Sequence, residues 1–556
     1  MQQTCRNSWC KAPFEVTDDD LKFYEKVSPV FAGKKEFISP PTLCPECRQQ
    51  RRYSWRNERT LFKRTCDLTG QAIVSMYPAE VPFPVYDREA WWSDAWDPLQ
   101  YGRTFDPARP FFDQFRDLLL ATPRIALQNK DPQNSEYCNF AAFNKNCYLC
   151  FGAGRTEDGY YCNRTWDSRS VCDCTSIADC ELCYEVIDAD RCYHCSFLRN
   201  CSGCRDCSFG SELQNCHDCI ACFGLRNASY CIGNERLAEE QYKEWANHLL
   251  THPQEAQALL DRLAITLPHK YVDGINAEHC SGNAISHSKN CLHCYYVKNA
   301  EDCKYFCNAT NQRDSEDVDN DDHSELVYEA IGSETNYMHT FNDICWFDKN
   351  MLYSSLCFHS EHCFGCIGLK HKKFCILNKQ YSKEEYEDLV PTIIARMRKC
   401  KEYGEFFPTS ISPFPYNETV AQENYPLTED EVARRDWRWR DPTDDIPKVK
   451  KTIPASQLPA TIEEVPDDIL DWAIECAVSK RPFKVIKPEL DFYRKMALPL
   501  PRLHPDERYR KRIAQRNPRK LWSRACAKCG KGIETTYAPE RPERVYCEDC
   551  YLKEVY

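Results

Sequence analysis

Cysteine recurs every twelve residues through the middle of this chain, and that period constrains the fold more than any other feature. Cys138, Cys150, Cys162 and Cys174 form one run; Cys183, Cys195, Cys207, Cys219 and Cys231 form the next. Four consecutive units carry a C-x2-C pair: Cys180/Cys183, Cys192/Cys195, Cys204/Cys207 and Cys216/Cys219. Asn or Asp often precedes the first cysteine, as at Asp179, Asn215 and Asn290. A fixed short period with such corners and no helical spacing predicts a stacked β-coil, a β-solenoid. Twelve residues at about 3.3 Å each make a coil perimeter of roughly 40 Å, enough for two short strands and tight corners. Residues three apart on a flat strand face opposite ways, so both cysteines of a pair point inward only if a bend lies between them.

The coil is built twice. Lys145–Cys150 matches Lys289–Cys294, and the stretch from Cys219 matches that from Cys363, an offset of 144 residues. Each copy runs into a charged, periodic segment, 237–250 and 381–399, which predicts amphipathic helices capping the open ends of the stacks. The second copy is less regular, with an acidic insertion from Asp314 to Glu325. Asp317, Asp319 and Asp321 have the spacing of a calcium loop, but Asp322 and Tyr328 stand where Gly and Glu are required. The segment reads as a solvated loop.

At the two ends the cysteines obey a different rule. Cys5/Cys10 with Cys44/Cys47, and Cys526/Cys529 with Cys547/Cys550, have the spacing of tetrahedral four-thiolate sites. All four positions are filled, so these are structural sites, and they imply about two zinc ions per chain. The ends are also copies of each other. Cys66 aligns with Cys526, Gly70 with Gly530, Tyr77 with Tyr537 and Tyr86 with Tyr546, without a gap. Upstream, Phe14, Phe23 and Tyr24 match Phe483, Phe492 and Tyr493, and Leu43–Arg48 matches Leu503–Arg508. Each end therefore carries two tandem ribbon units and keeps one metal site, the first at the N-terminus and the second at the C-terminus. Cys66 and Cys476 read as remnants of lost sites. Cys476, His504 and Glu507 retain part of a ligand set that Ser479 interrupts.

The residues Cys5, Cys10, Phe14, Phe23, Tyr24, Pro41, Cys44, Pro45, Cys47 and Arg48 carry a resemblance to the treble-clef-like zinc-ribbon family. The whole chain resembles the large cysteine-rich zinc-ribbon proteins of genome-reduced, ultra-small bacteria. The resemblance implies ribbons, zinc and a cytosolic setting, and it carries over no catalytic residue.

The expected organisation is mainly β and multidomain. Residues 1–92 form an N-terminal double zinc-ribbon module, 93–135 a helical connector, 136–235 the first solenoid copy and 236–275 a helical segment. Residues 276–380 form the second copy, 381–403 a helix, 404–470 a proline-rich linker and 471–556 a C-terminal double zinc-ribbon module. Nine prolines between Pro408 and Pro466 suit an extended tether, long enough to let the C-terminal module return to the N-terminal one.

No run of 18 apolar residues spans a membrane, and the N-terminus shows no secretory signal. The expected setting is the cytoplasm, where thiols stay reduced and serve as metal ligands or buried apolar groups. Three roles remain open for the ladder cysteines: filling a narrow interior, holding additional metal between rungs, or holding iron–sulfur clusters. Cys201/Cys204/Cys207 and Cys216/Cys219/Cys222 begin a ferredoxin-like run, but Ser211 and Arg226 occupy its fourth place.

A net charge of −12 argues against general nucleic-acid binding, yet two stretches are strongly basic. Arg48, Arg51, Arg52, Arg56, Arg59, Lys63 and Arg64 follow the first zinc knuckle, interleaved with Tyr53, Trp55 and Phe62. Arg508, Arg510, Lys511, Arg512, Arg516, Arg519 and Lys520 repeat the arrangement. Phosphate neutralisation with stacking aromatics predicts contact with RNA or the ribosome; the competing reading is that these residues meet the acidic middle of the same chain or a protein partner. The chain contains no Gly-rich phosphate loop, nucleophile elbow or H-E-x-x-H motif, and reads as a non-catalytic zinc-binding scaffold. A redox or metal-handling protein using the central cysteines is the alternative.

Overall fold

The computed structural model describes residues 1–441 and 447–555; residues 442–446 of the expected linker, and Tyr556, lie outside the described residues. The fold is strand-rich, and two long parallel ladders dominate it. In the first, Glu157 pairs with Arg169, Arg169 with Glu181, Glu181 with Tyr193, Tyr193 with Arg205, Arg205 with His217 and His217 with Ser229. Every step is twelve residues, the cysteine period. In the second, Glu301 pairs with Arg313, and the same step leads through Glu325, Tyr337, Lys349 and Glu361 to Lys373.

The acidic segment is therefore not an insertion and not a solvated loop. Asp317 and Asp319 lie in the strand Cys307–Asp319, in unbroken register with the next strand, and both are fully buried. A solvated loop was expected because a run of carboxylates is costly to bury unless cations meet it; here they do.

The backbone turns at every third residue. His194, Phe197, Asn200, Asp206 and Phe209 all have φ between +51° and +55°. The same stride runs through the second ladder, at Asn290, His293, Tyr296 and Asn299 for example. Each turn costs an ordinary residue roughly 1–2 kcal/mol, least for Asn and Asp. Asp179, Asn215 and Asn290 occupy such positions, as the sequence indicated. Ladder hydrogen bonds offset the cost: Arg191 N–H donates to Ala178 O at 3.0 Å and Asn227 N–H to Gln214 O at 2.9 Å. Side chains add their own ladder, Asn146 Nδ2 reaching Asp158 and Asn290 Nδ2 reaching Asp302. The residue after each turn points inward. Cys192, Cys195, Leu198, Cys201, Cys204 and Cys207 all belong to one buried cluster. A C-x2-C pair thus occupies two consecutive inward positions with one turn between them, instead of lying on one of two longer strands per coil.

Each ladder ends alike. The strand Ser229–Ile232 turns back antiparallel onto Glu235–Arg236, and Lys373–Ile376 onto Lys379–Gln380. The helices Glu239–Thr251 and Pro253–Thr266 then cover Phe209, Ile220 and Ala221 of the first ladder, and Lys383–Cys400 packs with Ile376 and Leu377 of the second. None of the described helices is long and apolar enough to cross a membrane.

The expected tether is packed where it is described. Phe406, Phe407, Phe414, Tyr416, Ala421 and Val432 join the largest core cluster, with Phe407 stacked on Phe115 at 4.5 Å. Further on, Lys451–Pro454 pairs with Trp472–Glu475, and Ile453, Leu458, Ile462 and Ile469 are buried. Proline count alone suggested extension. The aromatic residues between the prolines decide otherwise, since burying each contributes about 1.5–3 kcal/mol.

Candidate functional site

Cys5 follows the short strand Gln2–Thr4, and Cys44 and Cys47 sit at the start of the helix Pro45–Tyr53. Pro45 at the first helical position leaves no amide unpaired there, and the helix N-terminus favours thiolate. The four sulfurs of Cys5, Cys10, Cys44 and Cys47 lie within 4.8 Å of one another. Cys10 Sγ and Cys44 Sγ are 3.7 Å apart. Four sulfurs held tetrahedrally at about 2.3 Å from a central ion stand roughly 3.8 Å from each other, so the cluster has the dimensions of a zinc site. Hydrogen bonding from the Cys47 side chain, with help from its amide and from Cys10 and Cys5, lowers the Cys44 thiol to about 5.

The C-terminal site is built from a different pair of elements. Cys526 and Cys529 flank the turn between the antiparallel strands Trp522–Ala525 and Gly532–Thr535; Cys547 and Cys550 bracket the start of the helix Glu548–Val555. Their sulfurs also converge within 4.8 Å, with Cys529 and Cys547 at 3.7 Å. Gly530 closes the turn at φ +77°, its amide donating to Cys526 O. Burial acts to raise Cys526, but the amides of Cys547, Cys529 and Lys528 outweigh it and bring the thiol to about 6.

The remnant sites keep the frame and lose the ligands. Gly70 makes the same turn at φ +73°, and Cys66 Sγ accepts from the amides of Thr69 and Asp87 at 3.4 and 3.3 Å. Thr69 Oγ1 donates to Asp87, closing the space an ion would take. Cys476 Sγ accepts from His504 N–H at 3.2 Å, and among the described residues Cys476, His504 and Glu507 do not converge as a ligand set.

Many of the ladder thiols share one pattern. Cys183 Sγ donates toward Glu181 O (3.4 Å) and Cys192 O (3.6 Å), and Cys207 Sγ toward Arg205 O and Cys216 O. Cys162, Cys174, Cys195, Cys204, Cys216 and Cys219 likewise lie between a carbonyl two residues back and one nine residues on, whereas Cys172 faces Asp173 and Tyr493. Among the described residues, no converging ligand set consists of ladder cysteines alone.

The residues of the two basic stretches divide between the interior and the surface. Arg48, Arg51, Arg52, Arg56, Arg64, Arg508 and Arg512 are buried. Arg48 Nε donates to Asp317 at 2.7 Å; Arg52 donates to Asp319 at 2.9 Å and to Asp317 at 3.0 Å; Arg51 bridges Glu329 and Glu405. At the other end Arg508 and Arg512 both hold Asp173, and Arg516 Nε donates to Asp188 at 3.0 Å. A guanidinium buried against carboxylates of the same chain is not presented to a phosphate at the surface. Arg64 turns to Pro78 O and Asp67. Arg56 pairs with Glu58 and lies over the Phe140 ring. The half-buried Arg59 stacks on Tyr509, and Arg519 donates to Tyr53 OH at 2.6 Å, so these two link the terminal modules to each other. Lys63, Arg510, Lys511 and Lys520 are exposed.

The two docks are the same dock used twice. Arg48 and Arg52 correspond to Arg508 and Arg512 in the terminal duplication, and Asp317 and Glu329 to Asp173 and Glu185 in the ladder duplication. The aromatic contacts agree: Phe23 and Tyr24 pack on Tyr328, and Phe492 and Tyr493 on Tyr184. Arg48 lies over the Tyr305 ring as Arg508 lies over Tyr161. The arrangement is crossed, with the N-terminal module on the second ladder and the C-terminal module on the first. The downstream unit of each module pairs with the strand that leads into the other ladder: Val85–Tyr86 with Arg124–Ile125, and Arg544–Tyr546 with Pro268–Lys270.

The carboxylates of this network went unassigned in the sequence, although a signal was present. Arg48/Arg508 and Asp317/Asp173 are each retained through a separate duplication, as complementary charges in a common contact are. No protein-family model matches this chain, and no curated protein matches it either.

Proposed function

We propose that this chain is a non-catalytic zinc-binding scaffold in which two β-solenoid copies are clamped crosswise by two zinc-ribbon modules. The observation that carries the reading is the pairing of each four-cysteine cluster with a buried arginine dock. Cys44 and Cys47 begin the same helix that carries Arg48, Arg51 and Arg52 into the second ladder. A zinc ion at Cys5, Cys10, Cys44 and Cys47 would fix the start of that helix and so aim its arginines. At the C-terminus the zinc ribbon follows the docking helix Pro505–Ala514 and braces it through Asn517, whose side chain bonds Thr536 and Arg541. With most of the arginines engaged within the chain, a protein partner is favoured over RNA or the ribosome.

Metal analysis of full-length protein purified without air tests the zinc assignment. C5S/C47S and C526S/C547S are each expected to lose one equivalent of zinc, and the first also to increase amide exchange along Pro45–Tyr53. Full zinc retention in either variant would sink the proposal. RNA binding that weakens with salt, as counterion release requires, would return the partner to nucleic acid.

A further inference from the structure

The geometry points to a third metal site, inside the second ladder and apart from both four-cysteine clusters, formed by His339, Cys345 and Asp348 and suited to a late first-row divalent cation such as Zn²⁺. One turn of that ladder places His339, Asn342, Cys345 and Asp348 at successive inward positions, each directly after a residue at positive φ (Met338, Phe341, Ile344, Phe347). All four side chains are fully buried. A metal-binding atom from each of His339, Cys345 and Asp348 lies within 4.8 Å of the other two.

The turns on either side are mostly apolar or small. Val327 and Ala330 line the preceding one, Met351 and Cys357 the next. A histidine and a carboxylate together in such an interior require a compensating partner.

The hydrogen bonds show which group lacks one. Asn342 is satisfied: Nδ2 donates to Thr340 O and Met351 O, and Oδ1 accepts from Ser354 N–H at 2.7 Å. Asp348 is anchored through Oδ1, which accepts from Ser360 N–H at 2.6 Å, while Oδ2 has no partner. Neither ring nitrogen of His339 has a hydrogen-bond partner. A buried imidazole presents a donor and an acceptor, and leaving both unmade is unfavourable. Metal coordination resolves one nitrogen and the free carboxylate oxygen together, and converts the Cys345 thiol to a thiolate.

The duplication explains why the site exists in one ladder only. Cys195, Cys201 and Cys204 stand at the corresponding places of the first copy. Their short side chains stay at the wall and donate to carbonyls there, as Cys195 does to Tyr193 O and Cys204 O. Cys345 Sγ likewise faces Asp343 O and Ser354 O at 3.6 and 3.7 Å, and the longer imidazole and carboxylate bring their own ligand atoms within 4.8 Å of it. The set of one nitrogen, one sulfur and one oxygen suits zinc or cobalt(II) and suits neither a hard cation such as calcium nor an iron–sulfur cluster.

Metal content of the full-length chain, produced in zinc-supplemented and in cobalt-supplemented medium and purified without air, tests the site. Three equivalents are expected for the unaltered protein, and two for H339Q and for the near-isosteric D348N. C5S/C47S/C526S/C547S is expected to keep one, with a cobalt absorption spectrum distinct from that of four-sulfur sites. Two equivalents in the unaltered protein, undiminished in folded D348N, would overturn the inference. Retention of all three equivalents by the end-site variant would count against the proposed function and leave this site standing.

Discussion

The N-terminal and C-terminal modules align in sequence and dock through one set of positions, yet the N-terminal dock carries more charge. Arg48, Arg51 and Arg52 meet Asp317, Asp319, Glu329 and Glu405, and the whole group is buried. At the C-terminal dock Lys511 takes the place of Arg51 and lies exposed, while Thr175 takes the place of Asp319 and receives Arg512 Nε at 3.4 Å. The buried Arg51 cation and the Asp319 carboxylate thus have no buried charged counterpart there, while Glu489 faces Arg508. Burial of charge is tolerated only in balanced sets, because an unpaired ion in the interior is far more unfavourable than the absence of the pair. Loss of the Arg51 charge and loss of the Asp319 charge therefore accompany each other between the two docks.

Breaking that balance should have the largest effect. R52A leaves Asp317 and Asp319 without their shared guanidinium and is expected to destabilise the N-terminal dock by about 3–5 kcal/mol. R512A is expected to fall at the low end of the same range, since Thr175 needs no counter-charge. Chemical denaturation of the two variants side by side measures the contrast, and equal losses would show that Asp319 adds nothing. A smaller effect should follow from D319T, which gives the N-terminal dock the C-terminal residue. Arg52 keeps Asp317 and Glu329 but loses one acceptor, as do Gln49 and Tyr53, so the expected loss is about 1–3 kcal/mol, the order of a buried donor left unpaired. The smallest effect belongs to K511A, expected within about 0.5 kcal/mol of the parent because the side chain is exposed. A large loss there would mean that the charge difference between the docks is not the one described.

The two end clusters were legible in the sequence because their C-x4-C and C-x2-C pairs, two at each end, have the spacing of a four-cysteine site. Cys5, Cys10, Cys44 and Cys47 converge as read, and so do Cys526, Cys529, Cys547 and Cys550. The twelve-residue register was legible for a similar reason, since a parallel stack repeats its inward positions at the period of the chain. The three-residue stride was harder to see. C-x2-C suggested a single bend, and only the run of positive-φ residues shows that every third residue makes one. Prolines between Pro408 and Pro466 suggested a free tether, and Phe406, Phe407 and Phe414 placed the described part of it in the core.

By itself, then, the sequence determined what local spacing can determine: two four-thiolate clusters, a period of twelve and a double duplication. Only the tertiary structure decided where the arginines go and what the second ladder encloses. Arg52 finds Asp319 across 267 residues of chain, and no local pattern distinguishes a guanidinium bound for a buried carboxylate from one bound for a phosphate. His339, Cys345 and Asp348 become a site only because the stride of three brings them to inward positions of one turn, where length of side chain decides which groups meet.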